Sequence, residues 1–288
     1  MGILLILAQQ ILNNLESVVV KNYGKKHGDG GLFFNAIISF FAMIYFIVTD
    51  KGGLYFPPLL WVLGSISALL YAIGFYSMYL ALSYGSFVMT KMITSFSLLF
   101  PLFFGLFFLK EPTTVFTYIG IGLIILSLVV KNVQFGKKPD AEPQKASSKW
   151  LVCTILSTVA NGLISVISRL QQEYFHADCT NEFLLISLGG SFIALLVASL
   201  LKERGNIKYI LKHGTIAGVL AGICNGAKNY IHLIVYLIMP ISVSTPLGVG
   251  IGFITSFIFT KFIYKEKFTK GQLLGMILGG IAVIILKL

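Results

Sequence analysis

Ten apolar runs, each near the ~20 residues a helix needs to cross a hydrocarbon core, leave this chain little choice of solvent. They fall at 2–20, 31–49, 60–83, 86–109, 113–131, 150–169, 181–201, 214–239, 241–264 and 268–287. The fold class they predict is an all-α integral membrane protein of about ten transmembrane helices. Charge agrees: only 11% of residues are Asp, Glu, Lys or Arg, against about 25% in a soluble domain. Runs three and four are parted only by Ser83-Tyr84-Gly85-Ser86, and runs eight and nine only by Met239-Pro240. In both cases the combined stretch is about two spans long, so each is read as a tight turn. The first run has no charged segment ahead of it and many runs after it, and is expected to be a span and not a cleaved signal. A net charge of +11 would suggest nucleic acid in a soluble protein. Here the basic residues cluster in short connectors between apolar runs, as membrane proteins carry them, so no nucleic-acid partner is expected.

One long polar stretch, 132–149, divides the runs five and five. The organisation predicted is a first five-helix repeat over 1–131, a linker over 132–149 and a second repeat over 150–288. A shift of 155 residues brings Lys110-Glu111 onto Lys265-Glu266, Val88 onto Val243, Thr90 onto Thr245, Thr114 onto Thr269 and Gly120 onto Gly275. Near the start of each half, Asn13, Ser17 and Lys21 match Asn161, Ser165 and Arg169. Five is odd, so the second half must enter the membrane from the opposite side. The repeats are then inverted, an architecture that places a substrate site near the midplane where the halves meet.

Sixteen Lys and Arg collect in the connectors at 21–26, 131–149, 202–212 and 261–270, against four on the other side: Lys51, Lys110, Arg169 and Lys287. That bias puts the linker in the cytoplasm and both termini outside.

Charges within a span cost roughly 2.5–3.5 kcal/mol on insertion scales, so each requires a reason. Lys228 lies about 14 residues, or roughly 21 Å, into the eighth run. On a helix it shares a face with Asn225, Asn229, His232 and Tyr236. That polar stripe is read as a substrate-binding wall, or alternatively as a network joining helices. Lys91 enters the fourth run near its end, where its stem can also snorkel to the interface; Thr94, Ser95 and Gly105 lie near its face. Gln9, Gln10, Asn13, Asn14, Glu16 and Ser17 are too many polar groups for a lipid-facing first helix. Glu16 can be a coupling group or an ion-pair partner of Lys91 or Lys228. The stripe Tyr71, Phe75, Met78 and Tyr79 reads first as packing, with a cavity wall as the alternative. Pro246 and the glycines after it permit a broken or bent helix lining a cavity, or close packing. Gly275 and Gly279 carry the small-xxx-small spacing of touching helices.

The residues Arg169, Glu173, His176, Asp178, Cys179 and Glu182 lack the fixed spacing of a metal site and read as a solvated connector. Cys153, Cys179 and Cys224 are isolated thiols. No metal and no cofactor is expected.

The paired pattern resembles the drug/metabolite transporter superfamily, in particular its EamA-type members with two five-helix repeats. The resemblance rests on the turns Lys110-Glu111-Pro112-Thr113 and Lys265-Glu266-Lys267-Phe268, each joining the fourth and fifth helix of its half. The Gly-rich fifth helices, Tyr118–Val130 and Gly271–Leu286, and the Tyr79-Leu80-Ala81-Leu82 ending of the third support it. It implies ten helices around a central cavity and alternating-access movement of small metabolites, often export. It also implies cytoplasmic termini, opposite to the charge bias. The single-repeat relatives, the small multidrug resistance proteins, carry a membrane Glu eight residues before a Lys. Here those places hold Asn13 and Asn161, which cannot ionise, so proton-driven export of cationic drugs through that position does not carry over.

The function expected is therefore secondary transport of a small metabolite, an amino acid or other zwitterionic or anionic solute. A coupling proton or cation and the lipid bilayer are its expected partners. A multi-pass place in a bacterial or archaeal cytoplasmic membrane goes with it. The candidate substrate-binding residues are Lys228, Asn225, Asn229, His232, Tyr236, Lys91, Asn13, Asn161 and Tyr79, with Glu16 as the coupling group. No phosphate-loop motif appears. An intramembrane enzyme would need a convergent catalytic set, which the sequence lacks, and a non-transporting receptor or scaffold has no use for inverted symmetry.

Overall fold

The computed structural model describes residues 2–27, 31–49, 55–111, 114–132, 148–176, 178–264 and 270–285. Linker residues 133–147, Pro112-Thr113 and the turn 265–268 lie outside them. Among the described residues eight helices are long and apolar enough to cross a membrane, and two shorter apolar ones join them. In chain order they are α1 (Gly2–His27), α2 (Gly31–Thr49), α3 (Pro58–Tyr84), α4 (87–108), α5 (Val115–Asn132), α6 (Ser148–Phe175), α7 (Thr180–Lys202), α8 (Ile207–Ile238), α9 (241–264) and α10 (Lys270–Ile285).

Local chemistry explains the ends. Pro58 opens α3 at the first helical position, where its missing N–H costs nothing. Gly85 sits so close to the Trp150 indole that a Cβ there would fall 2.1 Å from Nε1. Met239, preceding Pro240, is extended (φ −143, ψ 141) and ends α8, as the proline ring requires of its neighbour.

Helix α4 changes pitch along its length: α-helix Phe87–Thr94, a 3-10 turn Ser95–Leu98, α-helix Leu99–Phe103 and a π turn Phe104–Phe108. Pro101 offers no N–H to the carbonyl four residues back, which removes a rung at the 3-10 turn. Just before that turn, the Thr94 and Ser95 hydroxyls donate to the carbonyls of Thr90 (2.9 Å) and Lys91 (2.6 Å). Pro246 has a milder effect. Ile241–Phe259 stays one continuous helix, so the break permitted at Pro246 does not form there.

Polarity is distributed inside out. Leu4, Ile66, Leu69, Ile216 and Ile277 are exposed, whereas Asn14, Glu16, Lys21, Lys91, Gln171, Gln172 and Asn225 are buried. Only an apolar solvent makes that arrangement favourable.

Most of the helix contacts pair off under an exchange of each helix with the one five places away. The α1–α8 contact mirrors α3–α6, α2–α8 mirrors α3–α7, α1–α9 mirrors α4–α6, and α1–α3 mirrors α6–α8. The pairs α2–α7, α4–α9 and α5–α10 map onto themselves. Successive crossings alternate in direction, so helices five apart run oppositely.

The α2–α8 seam is built on glycine. Gly218, Gly222 and Gly226 face Ile37, Ile38 with Phe41, and Tyr45 of α2 in turn, and Gly214, one turn earlier, faces Tyr23 of α1. Four-residue spacing puts these small residues on one stripe, which brings the backbones together. Gly279 packs against Phe253 of α9 within the chain.

Candidate functional site

Six helices, α1, α3 and α4 with their exchange partners α6, α8 and α9, enclose a cavity of about 240 Å³. Its polar wall comes from Gln9, Gln10, Asn13 and Glu16 on α1, Lys91 and Thr94 on α4, Asn161 and Ser165 on α6, and Asn225, Lys228, Asn229 and His232 on α8. Tyr71, Phe75 and Met78 of α3 form an apolar wall.

At the centre is an ion pair. Lys228 Nζ lies 2.5 Å from Glu16 Oε2 and donates to Asn13 Oδ1 at 3.2 Å. The other carboxylate oxygen, Oε1, accepts from Asn225 Nδ2 at 2.9 Å, and Asn229 Nδ2 donates to Asn225 Oδ1 at 2.8 Å. Glu16 is thus held by a cation and an amide. One turn along α1 and α8, Gln9 Nε2 meets His232 Nδ1 at 2.7 Å. Three successive turns of α1 therefore lie bonded to three of α8. Helical spacing produces this ladder: residues 9, 13 and 16 share a face, as do 225, 228, 229 and 232.

Lys91 enters from the opposite wall, buried to 9% exposure. It lies 5.9 Å from the Phe87 ring centroid and lines the same cavity as Lys228 and Glu16. Among the described residues no carboxylate pairs with it. The cavity lining thus carries two lysines and one carboxylate, with Glu16 committed to Lys228. A buried ammonium without a counter-ion is unfavourable, and an incoming carboxylate would supply one.

Asn161 is exposed although it lies mid-helix, because it faces the cavity. Its amide also donates to the Ser157 carbonyl at 2.7 Å. The glycines after Pro246 serve the site: Gly248 and Gly252 line the cavity, and a Cβ at Gly252 would come 2.9 Å from Gln10 Oε1.

Two candidates lie outside the wall. Tyr79 is fully buried between α1 and α2, with its ring against Gly24 and Gly31 and 6.5 Å from that of Tyr23. It follows Met78 by 100° around α3, which turns it away from the cavity. Tyr236, one turn beyond His232 with ring centroids 4.2 Å apart, is buried at the cavity's end. The motif-free positions Ser97 and Ser256 also line the cavity. A serine in an apolar helix carries no signal until its face is known.

The cluster read as a solvated connector is partly structural. Glu182 is buried and accepts from the Tyr55 backbone N–H at 3.1 Å, while Arg169 bonds to Glu111 and Glu173.

Residues 1–133 match the EamA-like transporter family, which is the drug/metabolite transporter superfamily that the paired turns resemble. A solved structure, described only as a crystal structure of a protein, superposes with a TM-score of 0.70 at 15% identity, covering 99% of this chain and 96% of its own. At that identity it shows the fold alone. No curated protein matches the sequence.

Proposed function

We propose that this chain, a membrane transporter of the drug/metabolite type by its EamA-like first half, is a secondary transporter of a small anionic or zwitterionic solute. Residues 1–131 and 150–288 act as inverted five-helix repeats joined by 132–149. The solute binds between them and reaches each side in turn. The carrying observation is the charge inventory of the cavity: Lys91 without a carboxylate partner, opposite a Lys228 already bonded to Glu16. Lys91 takes the acid group of the solute, while Asn13, Asn161, Asn225, Asn229 and His232 supply polar contacts. The wall of Tyr71, Phe75 and Met78 receives an apolar portion. A volume of about 240 Å³ lies just under the roughly 300–1,000 Å³ of drug-sized pockets, which suits a small metabolite.

Glu16 is the coupling group in this reading. A proton delivered to Glu16 would release Lys228 to the solute, so that ion and solute binding are linked through one salt bridge. Export is the direction that the family resemblance favours.

Counterflow into proteoliposomes preloaded with pooled amino acids, organic acids, nucleosides or sugars tests the class. Exchange is expected with the amino-acid or organic-acid pool. Exchange confined to nucleosides or sugars, or none with any pool, would overturn it. With a transported solute in hand, Lys91→Met should raise its KM by about 10- to 150-fold, the equivalent of one hydrogen bond to a charged group at ~1.5–3 kcal/mol. An unchanged KM would remove Lys91 from the site.

A further inference from the structure

At the end of the cavity where α8 gives way to α9, a carboxylate from one half of the chain closes on a helix of the other. Glu111, in the α4–α5 connector, accepts the backbone N–H of Ile241 on Oε1 at 3.0 Å and that of Ser242 on Oε2 at 2.8 Å. Both are free donors of the first turn of α9, where partial positive charge favours an anion. Arg169 of α6 brings Nη2 to 3.2 Å from Glu111 Oε1 and donates from Nη1 to the Tyr236 carbonyl at 3.0 Å. One side chain thus joins α6 to the last turn of α8, and one carboxylate joins both to α9. The Glu111 side chain is only 5% exposed.

Position makes this more than a helix cap. Arg169 lies one turn beyond Ser165, and Tyr236 one turn beyond His232, whereas Ser165 and His232 themselves line the cavity. On α3 and α4 the lining residues, Tyr71 to Leu82 and Lys91 to Ser97, lie toward the α3–α4 turn at the other end. The cavity therefore reaches away from the Glu111 cluster.

The opposite end carries related parts. Under the sequence shifts that relate the halves, Arg169 corresponds to Lys21, and Ile241-Ser242 to Ser86-Phe87. Lys21 is 1% exposed, with Nζ 5.3 Å from the Phe87 ring centroid. A basic residue is thus buried against the first turn of α4, and Arg169 reaches the first turn of α9 through Glu111. Glu111 also stands at an irregular helix end, with its backbone N–H donating to the Gly105 carbonyl at 3.2 Å. It follows the π turn of α4, where Leu109 N–H reaches back to the Phe104 carbonyl at 3.2 Å, and Lys110 has a φ of 48.

We propose that Glu111, clamped by Arg169 onto the first turn of α9, is the latch that shuts one end of the cavity and must release for that end to open. The latch rests on the transporter reading for its purpose, but its test needs no solute. A reporter cysteine is placed at Ser165 in protein whose Cys153, Cys179 and Cys224 are replaced by alanine. Its reaction with a membrane-impermeant maleimide is timed separately from each face of proteoliposomes. With Glu111 intact, labelling should be faster from the face bearing the α3–α4 turn. Glu111→Ala should raise the rate from the opposite face on the order of tenfold or more, the span of a typical conformational coupling. Equal rates from that face in folded wild-type and variant protein would overturn the latch.

A second variant covers failure of Glu111→Ala to fold. A Cβ at Gly105 would lie 2.6 Å from Ile241 Cγ2 and 3.0 Å from Glu111 Oε2, so Gly105→Cys with Ile241→Cys sets a bridge beside the latch carboxylate, which must give by a few tenths of an ångström. Oxidised, this pair should suppress labelling from the latched face, and reduction followed by removal of the reductant should restore it. Labelling indifferent to the disulfide would overturn the proposal equally. Failed counterflow with intact latching would count against the transporter reading alone.

Discussion

Replacing Lys228 with methionine should destabilise the folded protein by about 3–5 kcal/mol, because it strands the buried Glu16 carboxylate without its counter-charge. The Lys228 and Glu16 side chains are only 19% and 9% exposed, and water in the cavity offsets part of the loss, which favours the lower end of that range. Asn225 would still donate to Glu16, but an amide dipole does not neutralise a charge. The double variant Lys228→Met with Glu16→Gln should recover most of that loss, since removing both charges of a buried pair is often neutral or favourable. Transport separates function from folding. In the proposed mechanism the double variant folds and does not transport. Thermal unfolding in detergent, alongside counterflow, reads both quantities. A double variant no more stable than Lys228→Met would refute the pairing energetics, and one that transports normally would remove the pair from the mechanism.

The same pair shows where the sequence stops being informative. Lys228 and Glu16 each stand out alone, because a charge inside an apolar run needs an explanation wherever it occurs. Glu16 had two candidate partners, Lys91 and Lys228, and nothing local chooses between them. Only the packing of α1 on α8 brings Glu16 to Lys228. Helical periodicity did place Asn225, Lys228, Asn229 and His232 together, and all four line the cavity. It was weaker for α3. Tyr71, Phe75 and Met78 line the cavity and Tyr79 does not, since a stripe broad enough to include all four spans two neighbours.

Helix existence was legible and helix ends were less so. The apolar run of the first span stops near residue 20, yet α1 continues to His27, and α8 begins at Ile207, ahead of the apolar run at 214. Hydropathy finds the lipid-crossing part of a helix, and a helix can continue into polar surroundings. Arg169 was legible as the counterpart of Lys21, but its bond to Glu111 was not. The Pro101 region of α4 changes pitch while α9 absorbs Pro246, a difference in neighbouring packing that composition does not carry. The glycines of α8 carry the four-residue spacing of a touching helix face, as Gly275 and Gly279 do, but that spacing does not say which helix they touch.

Those glycines make the last large effect a steric one. Gly222→Leu should abolish folded protein, and Gly222→Ala should cost about 1–3 kcal/mol, the range for overpacking a filled interface. A Cβ on Gly222 would meet the Ile38 carbonyl oxygen and Phe41 Cβ at 2.7 Å, and the Ala42 nitrogen at 3.2 Å. Backbone atoms cannot rotate aside, so α8 itself must move away from α2. Neighbouring positions grade the effect by what they touch. At Gly218 the Cβ meets the Ile37 side chain at 2.5 Å, and at Gly226 it meets Tyr45 Cβ at 2.9 Å. The nearest atom at Gly218 is a methyl that can turn away, with the Ile37 Cβ behind it at 3.1 Å, whereas at Gly226 the nearest atom is the Cβ itself. The order of damage expected for alanine is Gly222, then Gly226, then Gly218. Gly122 and Gly280 have nothing within 4 Å of a Cβ, and alanine there should be neutral or gain up to about 1 kcal/mol of helix propensity. Lys228 lies roughly 120° around α8 from Gly222, so displacement of this helix also disturbs the hold on Glu16. Gly222→Ala should therefore lose transport at temperatures where it is still folded, while Gly122→Ala keeps both. Equal melting temperatures for Gly222→Ala and Gly122→Ala would mean that the α2–α8 seam is not the close backbone contact described.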